Sequence, residues 1–242
     1  MMVMGALCVL CTRAVAADLA GYSDYDKANS LYETKDYGKA KEAYDALVKS
    51  GPWSANLFYN RGNAEWKLGD GGKAALDFER ALALEPGHPQ ARANLEFVRD
   101  QVGAKTAVQT WQERALTVIS GDVAAVLAAV CGWVGLFCLA AAALRREGRT
   151  APVVTLVMCV LAGAYAGGCM WEAGIEGTKA IVIAKMAQAR VAPADAAPIA
   201  DVLPAGSEVL APEVRGQWTY CTLPDGRRAW VPTDAVEKVK LG

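Results

Sequence analysis

The sequence predicts a multidomain chain: an all-α helical-repeat solenoid, then a two-helix transmembrane hairpin, then a small all-β domain. Three observations predict it. Residues 21–88 divide into two 34-residue units that align without a gap. Two apolar stretches, 123–144 and 151–171, are each long enough to cross roughly 30 Å of hydrocarbon as a helix. Across residues 179–240, short β-prone runs are punctuated by Pro, Gly and Asp.

Residues 1–17 read as a signal peptide. An apolar run over residues 1–11 is followed by the small residues Ala14-Val15-Ala16, which suit a cleavage site. No Lys or Arg precedes the run, and Arg13 follows it, a departure from the usual charge order. Cys8 and Cys11 do not stand in a lipoprotein pattern, so no lipid anchor is expected.

The helical array is expected over residues 21–103, with repeats 21–54 and 55–88 and a capping helix. The first unit carries Ala28, Asp36, Ala40, Tyr44 and Pro52; the second carries Gly62, Asp70, Ala74, Phe78 and Pro86 at the same offsets. Small residues allow two antiparallel helices to approach, and Tyr44 and Phe78 fill the space between them. Asp36 and Asp70 are placed to cap the following helix, and Pro52 and Pro86 to end it. This pattern resembles the tetratricopeptide repeat (TPR). Residues 89–102 then read as the first helix of an incomplete third unit that covers the open apolar end of the TPR solenoid.

In that family the concave face is built mainly from the first helix of each unit. Tyr25, Asn29, Tyr32, Asn56, Tyr59, Asn60, Asn63, Trp66 and Asn94 map onto it. Asn can donate to and accept from an extended backbone, and Tyr and Trp supply apolar contact. Helix packing and solvation explain the same Asn residues equally simply. No basic pair suited to a terminal carboxylate stands at the matching positions.

Residues 104–122 read as an amphipathic connecting helix with Trp111 at the membrane surface, and 145–150 as a loop between the spans 123–144 and 151–171. Arg145, Arg146 and Arg149 favour a cytoplasmic loop, which puts both soluble parts in the periplasm. The chain is thus expected to be a multi-pass protein of a bacterial inner membrane. Gly163/Gly167 and Ala164/Gly168 are small-xxx-small pairs, frequent by chance in an Ala/Gly-rich span. No Asp, Glu, Lys, Arg or His lies inside either span, which argues against a transporter or channel.

Residues 180–184, 207–211, 217–223 and 228–231 read as strands, with Pro224-Asp225-Gly226 as a hairpin turn. Leu203-Pro204-Ala205-Gly206, Gly216-x-Trp218, Asp225-Gly226 and Trp230-Val231-Pro232 resemble the bacterial SH3-like (SH3b) barrel. Trp230 is expected to fill the barrel core and Trp218 to cover part of it. The functional alternative has Trp218 and Tyr220, with Arg215 nearby, lining a peptide or glycan surface.

The order of signal peptide, TPR array, hairpin and SH3-like barrel resembles the BatE-type proteins of bacterial aerotolerance operons. That resemblance implies von Willebrand A-domain and other Bat-type membrane proteins as partners, near a MoxR-type ATPase. No enzyme is expected: GxSxG, HExxH, Walker A and Rossmann patterns are missing from the sequence. The single histidine, His88, reads as a solvated residue of an inter-repeat turn. Cysteines are spaced for neither a zinc site nor an internal disulfide in a soluble domain, and no cofactor is called for. A net charge of −1 without a basic block excludes an electrostatic footprint for nucleic acid. An adaptor acting through the TPR groove and a cell-wall binder contacting peptidoglycan through the barrel remain as function classes.

Overall fold

The computed structural model describes residues 24–107, 115–116, 119, 121–144, 150–176 and 178–240. The expected signal peptide, the 145–149 arginines and Trp111 lie outside them. The chain forms two compact units. One combines residues 24–107 with 179–240, and the other holds the described residues between 115 and 178.

The first unit begins with five helices: α1 (residues 24–33), α2 (Tyr37–Ser50), α3 (Ala55–Lys67), α4 (Gly71–Leu84) and α5 (Pro89–Val102). Their ends follow from local chemistry. Asp36 and Asp70 cap α2 and α4 by accepting from the N–H of Lys39 and Lys73, and Ser54 caps α3 through Leu57 N–H. The close approach expected at Gly62 is present: a Cβ there would stand 2.9 Å from the Phe78 ring. Ala28, Ala40, Tyr44 and Ala64 form one buried cluster, and Ala74, Phe78, Leu95 and Val98 belong to the next.

His88 corrects its expectation. It is 6 % exposed and caps α5, its Nδ1 accepting from Ala91 N–H at 3.2 Å. That bond assigns the ring proton to Nε2, which lies 3.2 Å from Asn56 Oδ1. A Pro-Gly-His-Pro turn looks solvated in sequence; the orphan N–H groups of a helix start make the imidazole a cap instead.

The C-terminal part is an antiparallel sheet of seven strands: β1 (Lys179–Val182), β2 (Met186–Arg190), β3 (Ile199–Pro204), β4 (Glu208–Arg215), β5 (Trp218–Thr222), β6 (Arg228–Pro232) and β7 (Val236–Lys238). They are ordered β3-β2-β6-β5-β4-β1-β7. A 3₁₀ turn, Thr233–Ala235, precedes β7. Ala187, Leu203, Val209, Cys221, Ala229 and Val231 point into one shared core, so the sheet curls around it. Among the described residues no ladder joins β3 to β7, and the expected closed barrel is seen as an open, curled sheet. Sequence reading missed β2, β3 and β7; the inward residues of β2 are only Ala187 and Ala189, too small to mark an apolar face in the sequence.

Cys221 is fully buried in this core, and burial pushes its thiol up to about 12. Because the pKa is raised on folding, the neutral thiol's contribution is fully present below the unfolded thiol's pKa and is lost progressively as pH rises from there toward 12. Alkylation with iodoacetamide at pH 8 is therefore expected to leave Cys221 unmodified in the folded protein and to modify it after denaturation, read by peptide mass spectrometry. Modification of the folded protein at the unfolded rate would contradict the packing.

Array and sheet are docked on one another. Ile181 and Val239 are buried within the helical cluster of Ala74, Ala75, Leu76 and Phe78. Arg80, 5 % exposed, donates to Glu237 Oε1 at 2.7 Å and to the carbonyls of Lys238 and Val239. Glu79 bridges Arg99 and Lys179, and both cations also reach Glu208. Burial alone would lower the Lys179 pKa, but Glu79 and Glu208 hold it raised. The expected connecting helix does not begin at 104. Residues 104–107 are irregular, and Lys105 pairs with the sheet, its N–H on Ser207 Oγ and its carbonyl accepting from Glu208 N–H, both at 2.9 Å.

The second unit contains α6 (Gly121–Leu144) and α7 (Thr150–Glu176), two helices long and apolar enough to cross a membrane. They pack on each other through Gly135, which faces Leu156 and Cys159. Trp133, Phe137, Val154 and Leu161 point outward. Gly168 approaches Leu116, and Tyr165 donates to the Ala115 carbonyl at 2.7 Å. Gly163 and Gly167 meet nothing within 4 Å among the described residues.

Candidate protein-binding site

The candidate groove is the face formed by α1, α3 and α5, the first helix of each unit. Helical periodicity puts residues three and four apart on one face, and the 34-residue offset repeats that face along the array. Its rows are Tyr25/Tyr59/Ala93, Asp26/Asn60/Asn94, Asn29/Asn63/Phe97 and Tyr32/Trp66/Asp100.

The Asn residues are joined in a repeated rung. Asn60 Nδ2 donates to Asn29 Oδ1 at 3.0 Å, and one repeat later Asn94 Nδ2 donates to Asn63 Oδ1 at 2.8 Å. Asn29 Oδ1 also accepts from Tyr44 OH at 2.7 Å, and Asn60 Nδ2 also donates to Tyr25 OH at 2.8 Å. Burial drives the Tyr44 phenol pKa upward, so it remains a donor at neutral pH. Half of each amide therefore holds neighbouring repeats in register. Asn29 Nδ2, Asn60 Oδ1, Asn63 Nδ2 and Asn94 Oδ1 have no partner among the described residues.

The remaining sequence-derived groove residues divide in the same way. Asn56, exposed, is tied to His88. Tyr59 packs on Phe78 and His88 with centroids 6.0 and 5.1 Å away, and Tyr32 meets Tyr37 edge-on at 5.2 Å. Trp66 is half-buried and meets Phe97 edge-on at 5.7 Å. Phe97 was not anticipated, although its 34-residue offset from Asn63 was a signal in the sequence.

A second surface lies on the outer face of the sheet. The expectation that Trp230 fills the core is wrong. Strand alternation sends Ala229 and Val231 inward, at 1 % and 0 % exposure, and leaves Trp230 outside. Register aligns Ile199, Arg190, Trp230, Tyr220 and Glu213 in one row across β3-β2-β6-β5-β4. Tyr220 and Trp230 are 4.8 Å apart, and the Arg215 guanidinium lies 5.6 Å from the Trp230 ring. Trp218 stands beside them, opposite Arg215 and Pro232. Thus Arg215, Trp218 and Tyr220 come together, and Trp230 joins them. A hydrogen bond from Arg215 holds the Glu213 carboxyl below its ordinary range, and Glu213 in turn raises Arg215.

Residues 25–95 match the tetratricopeptide repeat family, so α1 to α5 form a tetratricopeptide-like helical array. Arrays of this kind serve protein–protein interaction and are typically not enzymes. No curated protein matches the chain. Among the described residues no group of three or more His, Cys, Asp or Glu is placed to hold a metal ion.

Proposed function

We propose that the protein is a membrane-anchored, extracytoplasmic adaptor that holds partner proteins in the groove of α1, α3 and α5. The observation that carries this reading is the repeated rung, which fixes one half of each Asn amide and leaves the other without a partner among the described residues, on the helix face that also carries Tyr25, Tyr59, Tyr32 and Trp66. The tetratricopeptide match supports it as analogy at the level of fold. In this reading α6 and α7 cross the cytoplasmic membrane, the 145–150 loop is cytoplasmic, and the soluble unit faces the periplasm, as the arginines and the leader suggest. The C-terminal sheet is read as an SH3-like module. Resemblance to the BatE-type proteins makes von Willebrand A-domain and other Bat-type membrane proteins the proposed partners, in an aerotolerance or envelope-stress complex.

A second reading is favoured by the Tyr220–Trp230–Arg215 surface: a cell-wall binder in which aromatic faces stack on sugars and Arg215 meets wall-peptide carboxylates. One experiment separates the two. Ala93 is exposed in the Tyr25/Tyr59 row, so Ala93→Arg fills the groove without removing any bond described above. Tagged wild type, Ala93→Arg and Trp230→Ala are cross-linked and purified from native membranes, and tested for sedimentation with isolated cell wall. The adaptor reading expects a von Willebrand A-domain protein with wild type and Trp230→Ala but not with Ala93→Arg. Partners retained by Ala93→Arg would rule the groove out, and wall binding lost only in Trp230→Ala would put the second reading first.

A further inference from the structure

We infer that Phe97, backed by Trp66, is the specificity-determining residue of the groove, and that it selects an extended, uncharged or basic partner segment carrying one bulky apolar side chain at the α5 end. The inference rests on the groove reading and names the chemistry of its occupant.

Phe97 takes the place in the third unit that Asn29 and Asn63 take in the first two. The α5 core is filled by Ala91, Leu95 and Val98, all buried, so Phe97 is not needed there. It is 52 % exposed and presents its ring at the end of the Asn rows. Trp66 meets it in a T-shaped contact with 81° between the ring planes, which orients the Phe97 ring, and the rest of that side chain is open to solvent. A bulky side chain laid on the exposed part of the ring would gain apolar burial that Phe97 lacks in the unbound protein.

The polar neighbours define the rest of the occupant. Asn29 Nδ2 and Asn63 Nδ2 are donors, and Asn60 Oδ1 and Asn94 Oδ1 are acceptors. They alternate along the array as the C=O and N–H groups of an extended backbone do. Charged side chains of the same face are Asp26, Glu33 and Asp100 against Lys67, all exposed. The excess is acidic. An acidic segment or a free carboxylate end is repelled, and a neutral or basic one is favoured.

The test uses the full chain in lipid nanodiscs against a displayed library of random linear octapeptides with blocked termini. Expected is enrichment of Phe, Leu, Met or Trp at one fixed position, with Lys or Arg over Asp or Glu elsewhere. For a selected peptide, Phe97→Ala is expected to weaken binding at least tenfold and erase the apolar preference. Trp53→Ala removes an exposed aromatic in the 51–54 turn and is expected to change nothing. Phe97 contributes little to the core, so its variant tests recognition; an unchanged melting temperature confirms this. Peptides released by Ala93→Arg but not by Phe97→Ala would overturn the inference and leave the groove reading standing. Acidic peptides, or peptides indifferent to both variants, would overturn the inference, the latter together with the groove.

Discussion

Substituting Gly72 by Val is expected to loosen the β-sheet from the helical array, while the same substitution at Gly38 leaves stability unchanged or slightly improved. The two glycines occupy the same position of α4 and α2, 34 residues apart. A Cβ on Gly38 meets nothing within 4 Å, whereas one on Gly72 would stand 2.5 Å from the Ile183 carbonyl oxygen and 2.8 Å from its Cα. The obstacle is backbone, so no side-chain rotation relieves it. Overpacking of this kind costs about 1–3 kcal/mol, and the upper end applies where backbone must move. For a unit of this size that lowers the melting temperature on the order of 10 °C. Gly38→Val instead gains helix propensity at an open site. Hydrogen exchange on the full chain in detergent should show lost protection in β7 and around Lys105 for Gly72→Val alone. Equal exchange in the two variants would mean that the sheet and array do not depend on this contact.

Asp77→Ala should be more damaging still. Arg61 clamps Asp77 with two bonds, Nη2 to Oδ1 at 2.6 Å and Nε to Oδ2 at 2.7 Å, and Asp77 is 2 % exposed. Arg80 Nη1 lies 3.8 Å from the same carboxylate before reaching across to Glu237. Removing Asp77 leaves a buried guanidinium with only Asp45, 3.0 Å from Arg61 Nη1, and it loosens the orientation of Arg80. Breaking one partner out of a buried pair costs about 3–5 kcal/mol, a large part of the ~5–15 kcal/mol that holds an ordinary domain together. Adding Arg61→Met should recover much of the loss, because the orphaned charge is then gone. Urea denaturation of the detergent-solubilised variants measures both. A single variant within 1 kcal/mol of wild type would mean that Asp45 suffices for Arg61.

The two repeats explain why so much of the array was legible. Gly62, Phe78, Asp70 and their counterparts recur at a fixed offset because the same close approach, groove filling and capping recur, and each is a local requirement. Differences between the repeats carried a second message that reading for similarity passes over. Tyr37, Lys41 and Glu42 of α2 become Gly71, Ala75 and Leu76 in α4, and Ala46 becomes Arg80. The helix surface turns small and apolar, with one buried cation, where the sheet covers it. Ala43 likewise becomes Asp77 where Arg61 replaces Lys27. His88 and Trp230 were misjudged for a related reason: a turn histidine and a Trp in a β-prone run have average environments, but their own were set by a helix start and by strand parity. Helix position was enough to place the candidate groove residues on α1, α3 and α5, yet which half of each Asn amide was left over depended on bonds between residues 31 apart.

By itself, the sequence determined the elements whose causes are local: the 34-residue repeat, the capping aspartates, two helices long and apolar enough to cross a membrane, and strands around the Pro224-Asp225-Gly226 turn. Tertiary structure alone decided how β1 is used. Ala180 and Val182 enter the core of the sheet while Ile181 enters that of the array, so a strand following directly on α7 is buried on both faces. It also decided that Lys105 and Lys179, on either side of the hairpin in sequence, meet β4 together. The physical reason is that docking depends on pairs of surfaces far apart in the chain. Burial, charge pairing and a missing Cβ give these surfaces their fit, and none of the three has a period that a single sequence displays.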